Sequence, residues 1–208
     1  MSRLTGATTR VVVVLLLLAT VVVPNALAIA AAADTCPTRS GYWFTYDVPD
    51  FPSRGPITAF AIDAFRPNKM YATDGTDVVR TTNGGCNWET VYSVAGKTPL
   101  DHGFRGEAAT IRSIEVPRNP AAGDTVLLLI AEQAGATTRP HVVRSIDTGK
   151  TWTAAVGLPP AGDPESIAIS PAAPAIGYLG IDVGGGGLDL LFATEDGGAR
   201  WLPRSDLT

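Results

Sequence analysis

Short apolar stretches follow one another along most of the chain, separated by proline, glycine, asparagine and aspartate. Apolar and polar residues alternate in many of them, and β-branched side chains are frequent, which is typical of β-strands. The sequence after residue 33 lacks the period of about 3.6 residues that an amphipathic helix requires. The pattern therefore predicts an all-β protein.

The predicted strands group into three similar units of four strands each. The units repeat about every fifty-five residues, as Ile57, Ile111 and Ile167 at the heads of the first strands indicate. Four-stranded units at such a period are typical of β-propeller blades. We expect the blades at about residues 56–93, 110–157 and 165–205 of an exported domain that spans residues 34–208.

The last turn of each unit carries one eight-residue motif, Ser/Thr-x-Asp/Asn-x-Gly-x-x-Trp. Its hydroxyl and its carboxylate or amide can bond amides of their own turn. The glycine permits a positive φ, and the tryptophan can anchor the turn between neighbouring sheets. We interpret the motif as structural, because catalysis would not tolerate the amide that replaces the acid in the first copy. The motif residues are Thr81, Asn83, Gly85, Trp88, Ser145, Asp147, Gly149, Trp152, Thr194, Asp196, Gly198 and Trp201.

The motifs and the strands before them resemble the bacterial-neuraminidase-repeat, or Asp-box, β-propellers. The segment Ile-Ala-Ile-Ser-Pro-Ala-Ala-Pro at 167–174, then Gly-Tyr-Leu-Gly and a motif, is similar to the blade consensus of that superfamily. The resemblance covers about residues 42–204. It implies a fold more than a function, because such blades serve sialidases, xyloglucan-degrading hydrolases, sortilin ectodomains and assembly factors alike. It also implies that these motifs, the boxes, lie on the outer edge of each blade, away from the ligand-binding face.

Three blades do not close a ring, because propellers have at least four. One more predicted strand, at residues 42–48, precedes the first blade and resembles the last strand of another blade. We therefore expect a partial, three-blade Asp-box β-propeller with an incomplete ring. Truncation of the chain is the interpretation that we favour, and closure of the ring by a homo-oligomer is the alternative.

Residues 1–33 are predicted to be a signal peptide. Arg3 and Arg10 precede the apolar run 11–23, which ends before Pro24 and a series of small residues. An uncleaved anchor is the alternative, and membrane contact is expected only in that case. Export predicts a secreted or extracytoplasmic protein in an oxidising compartment, where the two cysteines can pair. The expected disulfide joins Cys36 and Cys86.

Charge and histidine spacing restrict the chemistry. The net charge is −4 and no basic run follows the signal segment, which disfavours nucleic-acid binding. His102 and His141 lack metal-ligand spacing and are interpreted as surface residues. The glycine-rich loop at 183–188 lacks the lysine and hydroxyl of a phosphate loop. We therefore expect no metal and no cofactor.

Acidic residues are the remaining candidates for chemistry, because a glycoside hydrolase needs two carboxylates that face a cleft. Four acids lie near first strands or in the long link between the first two blades, with solvated loop acids as the alternative interpretation: Asp63, Asp101, Glu107 and Glu115. Three further acids are interpreted as turn formers: Asp74, Asp77 and Asp182. Arg80 and Arg144 occupy the same position before a box, which favours a scaffold role. No catalytic residue is assigned.

The leading hypothesis is an exported, non-enzymatic propeller that presents loops to a protein or carbohydrate ligand. The alternative is a fragment of a secreted glycoside hydrolase, sialidase-like or xyloglucanase-like, with catalytic residues mostly outside this chain. The tripeptide Phe65-Arg66-Pro67 is a near match to a sialidase arginine motif, but it falls in a turn that the other units repeat.

Overall fold

The computed structural model describes residues 51–95, 108–118, 124–184 and 189–204. The regular secondary structure of these residues consists of twelve β-strands. In chain order they are β1 (Ala59–Ile62), β2 (Met70–Thr73), β3 (Asp77–Thr81), β4 (Glu89–Ser93), β5 (Ala108–Glu115), β6 (Val126–Ala134), β7 (Thr137–Ser145), β8 (Thr153–Ala154), β9 (Asp163–Ile169), β10 (Gly177–Asp182), β11 (Leu190–Thr194) and β12 (Leu202–Pro203).

The strands form three four-stranded antiparallel sheets, each in simple sequence order. Blade 1 contains β1–β4, blade 2 contains β5–β8 and blade 3 contains β9–β12. The register between the second and third strands repeats in all three blades, because the residue before each box has an equivalent partner. The three pairs are Tyr71–Arg80, Leu127–Arg144 and Tyr178–Ala193. The expected all-β, partial-propeller fold is confirmed.

The hydrophobic core lies between the blades. Successive side chains of a strand point to opposite faces of its sheet. In blade 2, Leu128 and Val143 pack against blade 1, whereas Leu127 and Val142 pack against blade 3. Both faces of the middle blade are buried, so β6 consists mostly of consecutive apolar residues instead of an alternating pattern.

The turns alternate between two ends of the blades because consecutive strands are antiparallel. The first turn of each blade and the boxes lie at one end, which we call the box end. The second turn of each blade and the links between blades lie at the other, which we call the link end. Blade 2 extends furthest there, because β6 has nine residues whereas β2 has four.

The first strands begin elsewhere than expected. β1 begins at Ala59, whereas β5 and β9 begin earlier than predicted, within the two expected links. The register equates Ile167 with Ile114, not with Ile111. A bulge between Ile111 and Ser113 inserts one residue into β5, and the spacing of apolar residues does not reveal such an insertion.

Several predicted features lie outside the described residues. These are the signal peptide, the strand at 42–48, Cys36 and the link residues Asp101, His102 and Glu107. The disulfide with Cys86 therefore stays a prediction. Within the described ranges, no helix is long and apolar enough to span a membrane.

Candidate functional site

The three boxes share one hydrogen-bond pattern. The first hydroxyl accepts the amide of the box glycine, over 3.0 Å in blade 1, 2.7 Å in blade 2 and 2.9 Å in blade 3. This hydroxyl donates to the side-chain oxygen at the third position, over 2.8 to 2.9 Å. That oxygen also accepts the amide of the seventh residue. Each box is thus a turn closed by its own side chains.

The box acids are committed to these turns. The side-chain hydroxyl of Thr151 bonds Asp147 over 2.6 Å and, with the local amides, lowers the pKa of that acid to about 2. Burial alone would raise the pKa of Asp196, but the amide of Arg200 and its neighbours hold it below the ordinary value. Asn83 fills the same place with an amide oxygen. A carboxylate with a lowered pKa is a poor proton donor, and the oxygens of these acids are already engaged in the turn, so this geometry supports a structural role.

Two consecutive residues with positive φ complete each box turn. They are Gly84 and Gly85 (φ 75° and 95°), Thr148 and Gly149 (66° and 91°), and Gly197 and Gly198 (72° and 94°). Thr148 is exceptional, because a β-branched residue is unfavourable in the left-handed region. Contacts from blade 1 hold it there: its carbonyl oxygen accepts the hydroxyl of Tyr71 over 3.2 Å and Nη1 of Arg80 over 2.5 Å.

The box tryptophans of blades 2 and 3 join each of these blades to the one before it. Nε1 of Trp152 donates to the carbonyl oxygen of Val91 in blade 1 over 2.9 Å, and its ring centroid lies 5.2 Å from that of Tyr92. Trp201 is fully buried against blade 2. Trp88 packs on the Phe51 cluster, and its Nε1 is buried with no hydrogen-bond partner in the part of the chain described.

Arg80 and Arg144 connect each blade to the next box. Nη1 of Arg80 donates to the hydroxyl of Thr148 over 2.7 Å, and Nε donates to Glu89 over 3.1 Å. The guanidinium of Arg144 lies beside Gly197 in the third box. Burial and the local hydrogen bonds have the larger effects on the pKa of Asp196, and the charge of Arg144 lowers it further. The scaffold role expected for this position agrees with these contacts. Blade 3 has Ala193 there.

A group of four charged side chains bridges blades 1 and 2 at the box end. Nζ of Lys69, which is almost fully buried, lies 3.0 Å from Asp63 and 3.0 Å from Asp124. Arg66 contacts the same two acids over 2.8 and 2.5 Å. Because both contact Nζ of Lys69, the two carboxylate oxygens lie at most about 6 Å apart, which is close enough to compare them with the paired acids of a glycoside hydrolase. A cavity of about 540 Å³ adjoins Asp124 and is lined also by Thr148.

The electrostatics of this pair do not suit proton transfer. Burial by itself would raise the pKa of Asp63, but hydrogen bonds from Lys69 and the amide of Phe65 keep it below the ordinary value. The hydrogen bond from Lys69 is the main cause that lowers the pKa of Asp124. Both acids thus have a pKa held below its ordinary value, and each lies beside the two cations Lys69 and Arg66. Of the predicted acidic candidates, Asp63 thus lies close to Asp124, which the sequence did not indicate. Glu115 does not belong to this group, because it lies on β5.

Glu115 lies on β5, between blades 2 and 3. Burial raises the pKa of this carboxyl, and the amide of Ile169 and the charge of Arg118 lower it by less. The raised pKa would suit a general acid. Its carboxylate instead accepts a backbone amide of the neighbouring blade, which fits a contact between blades.

The link end carries the other polar groups. Nε2 of His141 lies 2.8 Å from a carboxylate oxygen of Glu132, which is buried. The side chain of His141, which is expected at the surface, is partly buried and 17% exposed. Arg112 and Asp163 form an ion pair of 3.4 Å between blades 2 and 3. In the described ranges, no group of three or more acidic, histidine or cysteine side chains could hold a metal ion.

The predicted turn acids behave in two ways. Asp74 accepts the amides of Thr76 and Asp77 over 2.9 and 2.8 Å, and Asp182 accepts that of Gly184 over 2.6 Å. These two acids form turns. Asp77 does not belong with them, because it begins β3 and is buried.

Glu132, Lys69 and Asp124 are not among the residues that the sequence predicts for a site. Glu132 had a signal, because it continues the two-residue alternation of Leu128 and Ile130 on the core face of β6. A charged residue at such a position requires a buried partner. The sequence carries no comparable signal for Lys69 or Asp124, since each lies in a turn where charged residues are common.

No protein-family model matches the chain, and no curated protein matches its sequence. Solved structures do match. An ancestral GH74 enzyme has a TM-score of 0.51 at 16% identity over 73% of this chain, and the GH74 xyloglucanase from Xanthomonas campestris has 0.50 at 17% over 72%. The GH93 α-L-arabinofuranosidase of Fusarium graminearum, in complex with arabinobiose, has 0.45 at 16% over 70%.

The chain spans 19% and 21% of the two GH74 chains, and 46% of the arabinofuranosidase. At these identities the likeness concerns the fold. The expected structural similarity to Asp-box β-propeller enzymes is confirmed at the level of the fold, and the three four-stranded sheets are those of a partial β-propeller.

Proposed function

We propose that this chain is an exported, non-enzymatic β-propeller module that binds a protein or a glycan at its link end. The state of the acidic side chains carries this proposal. Lys69 and Arg66 each contact both Asp63 and Asp124, and the pKa of each acid is held below its ordinary value. A hydrolase requires one carboxyl with a raised pKa in such a pair, whereas a binding module has no such requirement.

The link end is the binding side in this proposal. The β6–β7 hairpin extends beyond the other second turns, and the two links between blades differ in length. Loops of unequal length on a regular scaffold are where binding residues concentrate. Arg112 and Asp163 offer exposed charges there, and His141 offers a partly exposed ring. The box end carries the structural turns.

The second candidate is a fragment of a secreted glycoside hydrolase with catalytic residues mostly outside this chain. The observation in its favour is the fold shared with the two GH74 enzymes. A shared fold alone is weak support, because one fold serves many activities.

One set of measurements separates the candidates. The protein secreted by its host is incubated with xyloglucan and with arabinan, and binding is followed by calorimetry while released reducing sugar is assayed. We expect binding without hydrolysis; release of sugar would overturn the non-enzymatic proposal. If neither glycan binds, chemical crosslinking in the culture fluid tests for a protein partner, and failure of both removes the proposal.

Matched variants locate the binding surface. Arg112→Ala, at the link end, should weaken binding, whereas Lys150→Ala, exposed at the box end, should not. The reverse order would place binding at the box cavity. Mass spectrometry of the secreted chain tests export, since an intact residue 1–33 segment excludes cleavage.

A further inference from the structure

Two sheet faces at opposite ends of the three-blade array leave apolar side chains in solvent. The tail face is the side of blade 3 directed away from blade 2, formed by Tyr178, Leu191 and Leu202 around the buried Ala193. The head face is the side of β1 directed away from blade 2, formed by Phe60 and Ile62. Tyr178 is 46% exposed and Phe60 is 47% exposed.

The internal repeat shows what such faces do when a neighbour is present. Tyr178 occupies the register position of Tyr71 and Leu127, which are fully buried against the next blade. Phe60 occupies the position of Ile114 and Ile167, which are buried against the preceding blade. The tail face therefore has the chemistry of a surface that receives a following blade, and the head face that of a surface that receives a preceding one.

The residues next to the boxes also distinguish these two faces from the internal junctions. At the internal junctions an arginine before one box reaches the next box, whose third residue is an acid: Arg80 reaches the second box and Arg144 the third. The tail face has Ala193 in place of the arginine, and the first box has Asn83 in place of the acid. The arginine that reaches a following box and the acid of that box are thus absent from these two faces together, as expected if blade 3 precedes blade 1.

We propose that a second copy of this chain docks its head face on the tail face, and that two such contacts close a six-blade ring. The contact is heterologous, because different surfaces meet, and two equal contacts close it. One chain carries both the head face and the tail face, which correspond to the two surfaces that meet at each internal junction. Phe51 covers Ala72 and Val79 in the outer half of blade 1, so the docking contact uses the inner strand, where Phe60 and Ile62 lie.

Mixing of variants tests this arrangement by native mass spectrometry and light scattering on the full secreted chain. We expect a dimer for the parent chain and monomers for Phe60→Asp and for Tyr178→Asp, each with an unchanged circular dichroism spectrum. An equimolar mixture of the two variants keeps one unmodified contact, so heterodimers should return. A monomeric parent chain would overturn the proposal, as would a Phe60→Asp variant that remains dimeric through two tail faces.

A gain-of-contact experiment gives an independent reading. Ala193→Arg and Asn83→Asp lie in blades 3 and 1 of one chain, so their effects on the free energy of unfolding of a monomer should be additive. Across the proposed contact they would place an arginine beside a box that carries an acid, as Arg144 lies beside the third box. We expect the double variant to dimerise about tenfold more tightly than the two single effects predict. Free energies of dimerisation that are simply additive would contradict the proposed contact.

Discussion

Arg80 of blade 1 holds Thr148 of blade 2 by two hydrogen bonds, to its carbonyl oxygen over 2.5 Å and to its hydroxyl over 2.7 Å. The guanidinium is buried and Thr148 has a φ of 66°. One side chain therefore links two blades and stabilises an unfavourable backbone conformation. This contact is separated by 68 positions in the sequence.

Replacement of Arg80 by methionine keeps the apolar stem and removes the donors. We expect Arg80→Met to lower the free energy of unfolding in urea by about 1–3 kcal/mol, because buried acceptors lose a charged partner. Arg204→Met is the control, since the ion pair of Arg204 with Glu195 is largely exposed and should contribute less than about 1 kcal/mol. Equal losses in the two variants would contradict the role given to Arg80.

Gly198 allows the third box to pack directly on blade 2. A Cβ at this position would overlap the side chain of Leu127, and the φ of 94° adds strain. We expect Gly198→Ala to cost about 2–4 kcal/mol of unfolding free energy. Gly135→Ala is the matched control: its φ is also positive, at 63°, but nothing lies within 4 Å of the added carbon. Its cost should stay near 1 kcal/mol, and a similar cost for both would exclude the packing term.

Trp152 and Trp88 occupy the same box position but differ in their hydrogen bonds. Nε1 of Trp152 donates to Val91 and to Gly149 over 2.9 and 3.0 Å, whereas that of Trp88 is buried with no partner in the described ranges. Phenylalanine at either position loses similar volume. We expect Trp152→Phe to be more destabilising than Trp88→Phe by about 1–2 kcal/mol in urea unfolding. The opposite order would show that packing dominates at both positions.

The fold could be predicted because each box contains its own turn chemistry. The hydrogen bonds of a box join a hydroxyl, an acceptor two residues later and a glycine, all within eight positions. The spacing of nearby residues is therefore sufficient to predict the turn. The contacts between blades could not be predicted in the same way. Lys69 meets Asp124 across 55 positions, and nothing local in either turn indicates the other. The bulge in β5 is invisible for a similar reason: Arg112 looks like any exposed strand residue.

Acid should reveal the difference between the second box and the first. The pKa of Asp147 is lowered to about 2 by the hydrogen bonds of its turn, so its contribution to stability is present above the ordinary pKa of about 3.9 and is lost as the pH falls towards 2. Asp147→Asn should make the urea midpoint fall less between pH 4 and pH 2. The reciprocal variant, Asn83→Asp, should make it fall more. Parallel pH profiles for both variants and the parent chain would exclude this linkage.

Glu115 should produce the opposite dependence on pH. Its pKa is raised above the ordinary value, mainly by burial, so the folded state binds the proton more tightly than the unfolded state does. The resulting stability is present below the unfolded pKa and declines as the pH rises through the folded pKa. Glu115→Gln retains an oxygen that can accept the amide of Ile169 and removes the charge. We therefore expect the variant to be more stable than the parent chain at pH 8, with the difference shrinking towards pH 4. Glu165→Gln, at an exposed position of the adjacent blade, controls for the change in net charge. A variant that is less stable than the parent at pH 8 would show that the ionised carboxylate is a favourable contact between blades 2 and 3.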